Sequence, residues 1–131
     1  MDEIFVRHLM TENVFAVKPD DGPEKISELM AEHHVRHVPV VDAYGKLRGI
    51  VSHRDLLRHH LDAPEPGTPE AAGSTDAERL MTAPVETVER DTDVRVAAQI
   101  MYKHKYGCLP VVEEERLVGI LTEADFVRFM C

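Results

Sequence analysis

Two short stretches carry side chains whose types and spacing could do chemistry: GIVSHRD at Gly49 to Asp55 and GILTEAD at Gly119 to Asp125. Each reads as a glycine, two branched apolar residues, a hydroxyl residue, two variable positions and an aspartate. A hydroxyl followed three positions later by an acid, where a helix opens, is close to a capping box, with Ser52 and Asp55, or Thr122 and Asp125, satisfying orphan backbone donors of the first turn. The same residues could also bind a sugar phosphate. Free amides and the dipole of a helix N-terminus would face the phosphate, and the carboxylate would accept hydrogen bonds from two vicinal hydroxyls. Capping alone leaves each glycine unexplained, because a missing side chain in an apolar strand marks a close approach by something else.

The motif recurs because the chain is written twice. Leu9, Met10 and Thr11 return as Leu80, Met81 and Thr82; Val14, Val17 and Asp20 return as Val85, Val88 and Asp91. Met30 and His33 match Met101 and His104, and Pro39-Val40-Val41 matches Pro110-Val111-Val112. After one deletion, of a size that a hairpin turn absorbs, Leu47, Gly49, Ile50, Asp55 and Arg58 match Leu117, Gly119, Ile120, Asp125 and Arg128. The repeat divides the chain into a first copy over 1–61, a polar, proline-rich linker over 62–78 and a second copy over 79–131.

The elements that must position the motifs follow from periodicity. A short extended segment (Phe15 to Val17; Val85 to Val88) precedes a helix with an apolar stripe: Ile26, Leu29 and Met30 in the first copy, and Val94, Ala97, Ala98 and Met101 in the second. Pro23 suits the first helical turn. Two strands rich in β-branched residues come next, Val38 to Val41 with Leu47 to Val51, then Leu109 to Val112 with Leu117 to Leu121, each pair joined by a tight turn. A closing helix starts after Ser52 or Thr122. The order β-α-β-β-α, twice, predicts an α/β (α+β) fold whose two small copies pack sheet to sheet about a pseudo-twofold axis. Phe126 and Phe129, with Tyr102 and Tyr106, read as core and interface residues.

Composition narrows the function. The 131 residues are 44% hydrophobic and 30% charged, as in a globular domain, and 24 acids against 15 bases give a net charge of -9, which disfavours nucleic acid as a partner. No apolar run has the length of a membrane span, and the first residues lack the pattern of a secretory signal. Cys108 and Cys131 form no metal or disulfide pattern, so two free thiols and a cytoplasmic location are expected.

With both motif sets in matching order, the sequence resembles a tandem pair of CBS domains, named after cystathionine β-synthase and also called a Bateman module. The resemblance implies the β-α-β-β-α unit derived above and a regulatory role in place of catalysis. It implies binding of adenosine-containing ligands, AMP, ADP, ATP (with magnesium for ATP) or S-adenosylmethionine, in clefts between the copies. By position, Asp55 and Asp125 would hold ribose hydroxyls, with Ser52 and Thr122 near sugar and phosphate. One cleft would join Ser52 and Asp55 to Val85, Tyr106, Gly107, Cys108 and Pro110. The other would join Thr122 and Asp125 to Val14, Val35, Arg36, His37 and Pro39. His53 and Arg54 incline the Asp55 cleft towards the more anionic nucleotide, whereas Glu123 and Ala124 stand at those places beside Asp125. A homodimer and a separate effector protein are the expected partners.

Rival readings rest on other residues. Eight histidines, including His33, His34, His37, His59 and His60, raise a metal site, but the Val38 strand begins directly after His37, so His33 and His37 do not share a helix face. Cationic side chains at helix C-termini complement the macrodipole without a metal. Catalysis would need a nucleophile with an oriented base, and none is visible. A purely structural dimerisation module would keep the glycines and strands but has no use for both aspartates.

Overall fold

The computed structural model describes residues 3–62 and 75–131, so most of the expected linker lies outside the described residues. Ten elements follow in order: α1 (Val6–Leu9), α2 (Pro23–His33), β1 (His37–Val41), β2 (Leu47–Ser52), α3 (His53–Leu61), α4 (Ala77–Leu80), α5 (Val94–His104), β3 (Cys108–Glu113), β4 (Arg116–Thr122) and α6 (Glu123–Met130). The architecture is mixed α+β with small antiparallel sheets. The two long helices, the two closing helices and the four hairpin strands inferred from periodicity are present, but the extended segment expected to open each copy is reduced to a single parallel bridge at Val17 and at Val88, so each sheet has two strands where three were expected. The four-residue helices α1 and α4, too short for a period, were not inferred.

These elements assemble into two compact units, Phe15–Val85, and Met1–Val14 with Glu86–Cys131. In the Phe15–Val85 unit, β1 and β2 form an antiparallel hairpin with Val38 opposite Val51 and Pro39 opposite Ile50. Val17 lies parallel to Val40 on one edge, with its amide donating to the Pro39 carbonyl at 2.9 Å. On the other edge Thr82 pairs antiparallel with Ile50. Helix α2 makes the crossover from Val17 to β1. Pro23 occupies its first turn, and its end is marked by His34 in the left-handed conformation (φ 54°), whose amide donates to the Met30 carbonyl. Ile26 and Met30 thereby face Val17, Val38, Val40, Val51, Leu56 and Ala77 in one buried cluster. Truncating fully buried Ile26 to alanine would cost about 2–5 kcal/mol.

The other unit repeats this plan. Strands β3 and β4 pair with Leu109 opposite Leu121, Val88 runs parallel to Val111, and Thr11 pairs with Ile120. Helix α5 ends at left-handed Lys105 (φ 58°) and buries Ala97 and Met101 against Val6, Leu9, Leu109, Val111 and Leu121. Phe126 packs at the margin of this cluster, whereas Tyr102, Tyr106 and Phe129 are exposed and lie outside the core.

The compact units therefore do not follow the written repeat. The Leu-Met-Thr segment that opens each copy packs on the sheet of the other copy: Leu80-Met81-Thr82 against β2, and Leu9-Met10-Thr11 against β4. Residues 76–78, assigned to the linker by composition, belong to this packing. The Asp76 carboxylate accepts the Arg79 amide at 3.2 Å, and the Ala77 amide donates to the Asp21 carbonyl at 2.7 Å.

Candidate functional site

This exchange explains the repeated glycines. A Cβ on Gly49 would stand 2.8 Å from the Thr82 carbonyl oxygen and 2.7 Å from Met81 Sδ; one on Gly119 would stand 3.1 Å from the Thr11 oxygen and 2.9 Å from Met10 Sδ. The close approach inferred from sequence is real, but the backbone of the exchanged segment makes it. Gly49 and Gly119 are clearance for a neighbouring strand, with no ligand needed to account for them.

The hydroxyl and the aspartate of each motif sit at a strand-to-helix junction. Ser52 ends β2 in extended conformation and caps α3: its Oγ accepts the Asp55 amide at 3.1 Å and donates to Asp55 Oδ2 at 2.9 Å, while the Ser52 amide donates to Oδ2 at 2.8 Å. The capping box expected on sequence grounds is thus closed. Thr122 repeats it more loosely at α6. Its amide donates to Asp125 Oδ2 at 2.8 Å and its hydroxyl at 3.2 Å, but Thr122 makes no side-chain cap hydrogen bond of its own.

The second carboxylate oxygen separates the two motifs. Asp125 Oδ1 accepts the Thr11 hydroxyl at 3.0 Å and is bonded by the Arg128 guanidinium, which leaves the side chain 2% exposed. A carboxylate has room for about four donors, and Asp125 has reached that number. Asp55 Oδ1 meets only Arg58, at 3.9 Å, and the Asp55 side chain remains 12% exposed. Thr82, the counterpart of Thr11, makes no hydrogen bond to Asp55 among the described residues. Asp55 instead lines an open groove of about 370 Å³, together with Arg58, His59, Arg79 and Thr82. Sequence reading passed over Thr11, Thr82, Arg58, Arg79 and Arg128 as site residues. Recurrence of the threonines and of Arg58/Arg128 at matched places was the available signal.

The remaining candidate residues divide between the units. Val35, Arg36, His37, Pro39 and Val85 belong to the unit that holds Ser52 and Asp55. The His53 amide donates to the Arg36 carbonyl at 2.8 Å, His37 pairs with Ser52, and Pro39 is fully buried. His53 and Arg54 are exposed at the start of α3. Val14, Tyr106, Gly107, Cys108 and Pro110 belong to the unit of Thr122 and Asp125, where the Glu123 amide reaches the Gly107 carbonyl at 3.4 Å and Cys108 pairs with Thr122. Each motif thus has the pre-proline segment of its own copy beside it. Burial pushes the Cys108 thiol up to about 12, so it is inert as a nucleophile at neutral pH.

The histidines are dispersed. His33 stacks on Phe15 with ring centroids 3.5 Å apart, His104 stacks on Tyr106 at 5.2 Å, and His34 is the left-handed cap residue of α2. Among the described residues no group of three or more His, Cys, Asp or Glu side chains could hold a metal ion, and no helix is long and apolar enough to cross a membrane.

Comparison with known proteins agrees with this geometry. The CBS domain family model matches twice, at residues 6–62 and 77–131. The chain is 25% identical to the CBS domain pair of protein MJ0100, solved in complex with 5'-methylthioadenosine and S-adenosyl-L-methionine. That match covers 98% of this chain and 97% of the other, with a TM-score of 0.84. It is 31% identical to CBSX2 in complex with AMP, over 96% and 95% of the two chains, with a TM-score of 0.82. Among curated relatives it is 33% identical over 118 residues to homoserine O-acetyltransferase of Methanocorpusculum labreanum, matching 89% of this chain but spanning only 22% of that enzyme's length.

Proposed function

The chain belongs to the CBS domain family, and from that premise we propose that it is a regulatory module that senses adenosine-containing nucleotides and passes their occupancy to a separate effector protein. One observation carries the proposal: Asp55 is held rigidly by its capping box through Oδ2 while Oδ1 stays open beside a groove. Vicinal ribose hydroxyls are the donors that suit such an oxygen. Pre-positioning by Ser52 removes the rotamer cost of ordering the carboxylate on binding. Neighbours of the same fold bound to AMP and to S-adenosyl-L-methionine support the ligand class.

In this reading catalysis plays no part, and the module works in the cytoplasm as a homodimer. Exposed Leu57 and Leu61 on α3, and exposed Val127, Phe129 and Met130 on α6, are the apolar surfaces available for pairing. A signal requires the ligand to favour one arrangement of the module over another.

A second reading, a structural module without ligand, has its own support: both aspartates already serve the helices they cap, and Asp125 has no free acceptor. A thermal-shift panel of AMP, ADP, ATP with and without magnesium, S-adenosylmethionine and GMP separates the two. At about 100 times its dissociation constant a ligand adds roughly 2.7 kcal/mol of stability, so at least one adenosine compound should raise Tm and GMP should not. A flat panel favours the structural reading.

A further inference from the structure

Helices α2 and α5 occupy matching places in the two copies and bury matching positions, Ile26 and Met30 on one, Ala97 and Met101 on the other. Their outer faces differ in charge. Glu24, Glu28 and Glu32, spaced four apart, form an exposed acidic stripe on α2. The same places on α5 hold Arg95, Gln99 and Lys103, also exposed, so each acid has given way to a base or a neutral amide. Beside the stripe, exposed Ala31 on α2 is matched by Tyr102 on α5, which stands 87% exposed. Among the described residues Glu24, Glu28, Glu32 and Lys103 make no hydrogen bond or ion pair, and the Arg95 guanidinium hydrogen-bonds only to Asp93, two residues away. Like charges four apart on a helix repel one another, so the acidic stripe is unfavourable until cations face it.

We propose that the chain pairs with a second copy of itself so that the acidic face of α2 in one chain meets the basic face of α5 in the other, first copy against second. The proposal rests on the homodimer of the functional reading and fixes which copies face each other within it. Repeated about a twofold axis the contact is self-complementary, because each chain supplies one face of each sign. The alternative, α2 on α2 and α5 on α5, sets acid against acid and base against base. Both charge patterns are even about their centres, Glu28 and Gln99, so acids meet bases whether the facing helices run parallel or antiparallel. Helix α2 packs beside α3, whose exposed Leu57 and Leu61 extend the surface with apolar area. Apolar burial then supplies affinity, and charge complementarity selects the partner face.

Sedimentation equilibrium of the full chain at low salt tests this with three charge-reversed variants: Glu24→Lys with Glu28→Lys and Glu32→Lys, Arg95→Glu with Lys103→Glu, and all five changes together. The expected result is a wild-type dimer whose dissociation constant rises about tenfold in each partial variant and returns towards wild type in the combined one. The glutamate variant is the sharper arm, since it brings the net charge of -9 closer to zero, which by itself would tighten association. All five side chains are exposed, and the Tm of each variant, read alongside, separates lost pairing from lost folding. A dimer indifferent to both partial reversals, or one that the combined variant fails to restore, would overturn the pairing of α2 with α5 and leave the homodimer standing. A wild-type chain that stays monomeric at every concentration would overturn both.

Discussion

The unit around Asp55 and the unit around Asp125 are built from the same parts: a glycine that admits the exchanged segment, a hydroxyl cap, an aspartate one turn in and an arginine one turn later. In the Asp125 unit these parts close on each other. Thr11 and Arg128 fill the carboxylate, and the aspartate becomes a buried tie between the exchanged segment and α6. In the Asp55 unit the corresponding threonine and arginine stay back, and the aspartate keeps an acceptor beside a groove. Duplication thus supplies one junction whose carboxylate is fully occupied and one whose carboxylate keeps an acceptor beside the groove. The difference lies in side-chain placement, not residue type, since Thr11/Thr82, Arg128/Arg58 and Asp125/Asp55 are pairwise identical.

The strongest way to break the comparison is at the glycines. Gly49→Ala should cost about 2–3 kcal/mol, because its Cβ meets backbone oxygen at 2.8 Å, and Gly119→Ala about 1–2 kcal/mol, because the clearance there is 3.1 Å. Urea unfolding of the two variants reads the order directly, and a reversed order would contradict the exchange geometry. Next come the carboxylates. Replacing Asp125 with alanine leaves Thr11, Thr122 and Arg128 without their acceptor and should cost about 3 kcal/mol, whereas Asp55→Ala removes mainly a cap and should cost about 1 kcal/mol.

Thiol chemistry sharpens the contrast. With its pKa raised from 9.0 to about 12, Cys108 favours its protonated form in the folded protein. Its contribution to stability is complete below pH 9 and is lost as the pH rises from there towards 12. At pH 8 a maleimide should label exposed Cys131 rapidly and Cys108 only after denaturation, as counted by mass spectrometry. The smallest effect belongs to the second hairpin. Its turn places Glu114 (φ 51°) and Glu115 (φ 70°) in the left-handed region, where the first hairpin uses Gly45 (φ 80°). Asn-Gly at 114 and 115 should stabilise the protein by about 1 kcal/mol in the same unfolding assay.

Much of this architecture was legible because α2, α5 and the four strands each carry a clear apolar period, and because the repeat tested every assignment twice. The exchange was not legible: pairing of Thr11 with Ile120 and of Ile50 with Thr82 is non-local, and α1 and α4 are one turn long. That is also why the glycines pointed towards a ligand until the neighbouring strand was seen. Ser52, Asp55, Thr122 and Asp125 were identified from spacing, and their capping role came with it. Which aspartate stays open could not be read, since the threonine and arginine that close on Asp125 recur at the matching places around Asp55.

The central claim is that Asp55, and not Asp125, holds the sugar of an adenosine nucleotide. Calorimetric titration of AMP into Asp55→Asn and Asp125→Asn tests it most directly. The account predicts that Asp55→Asn loses AMP binding at an unchanged fold, while Asp125→Asn lowers stability yet still binds. Retained affinity in Asp55→Asn, with loss in Asp125→Asn, would contradict it.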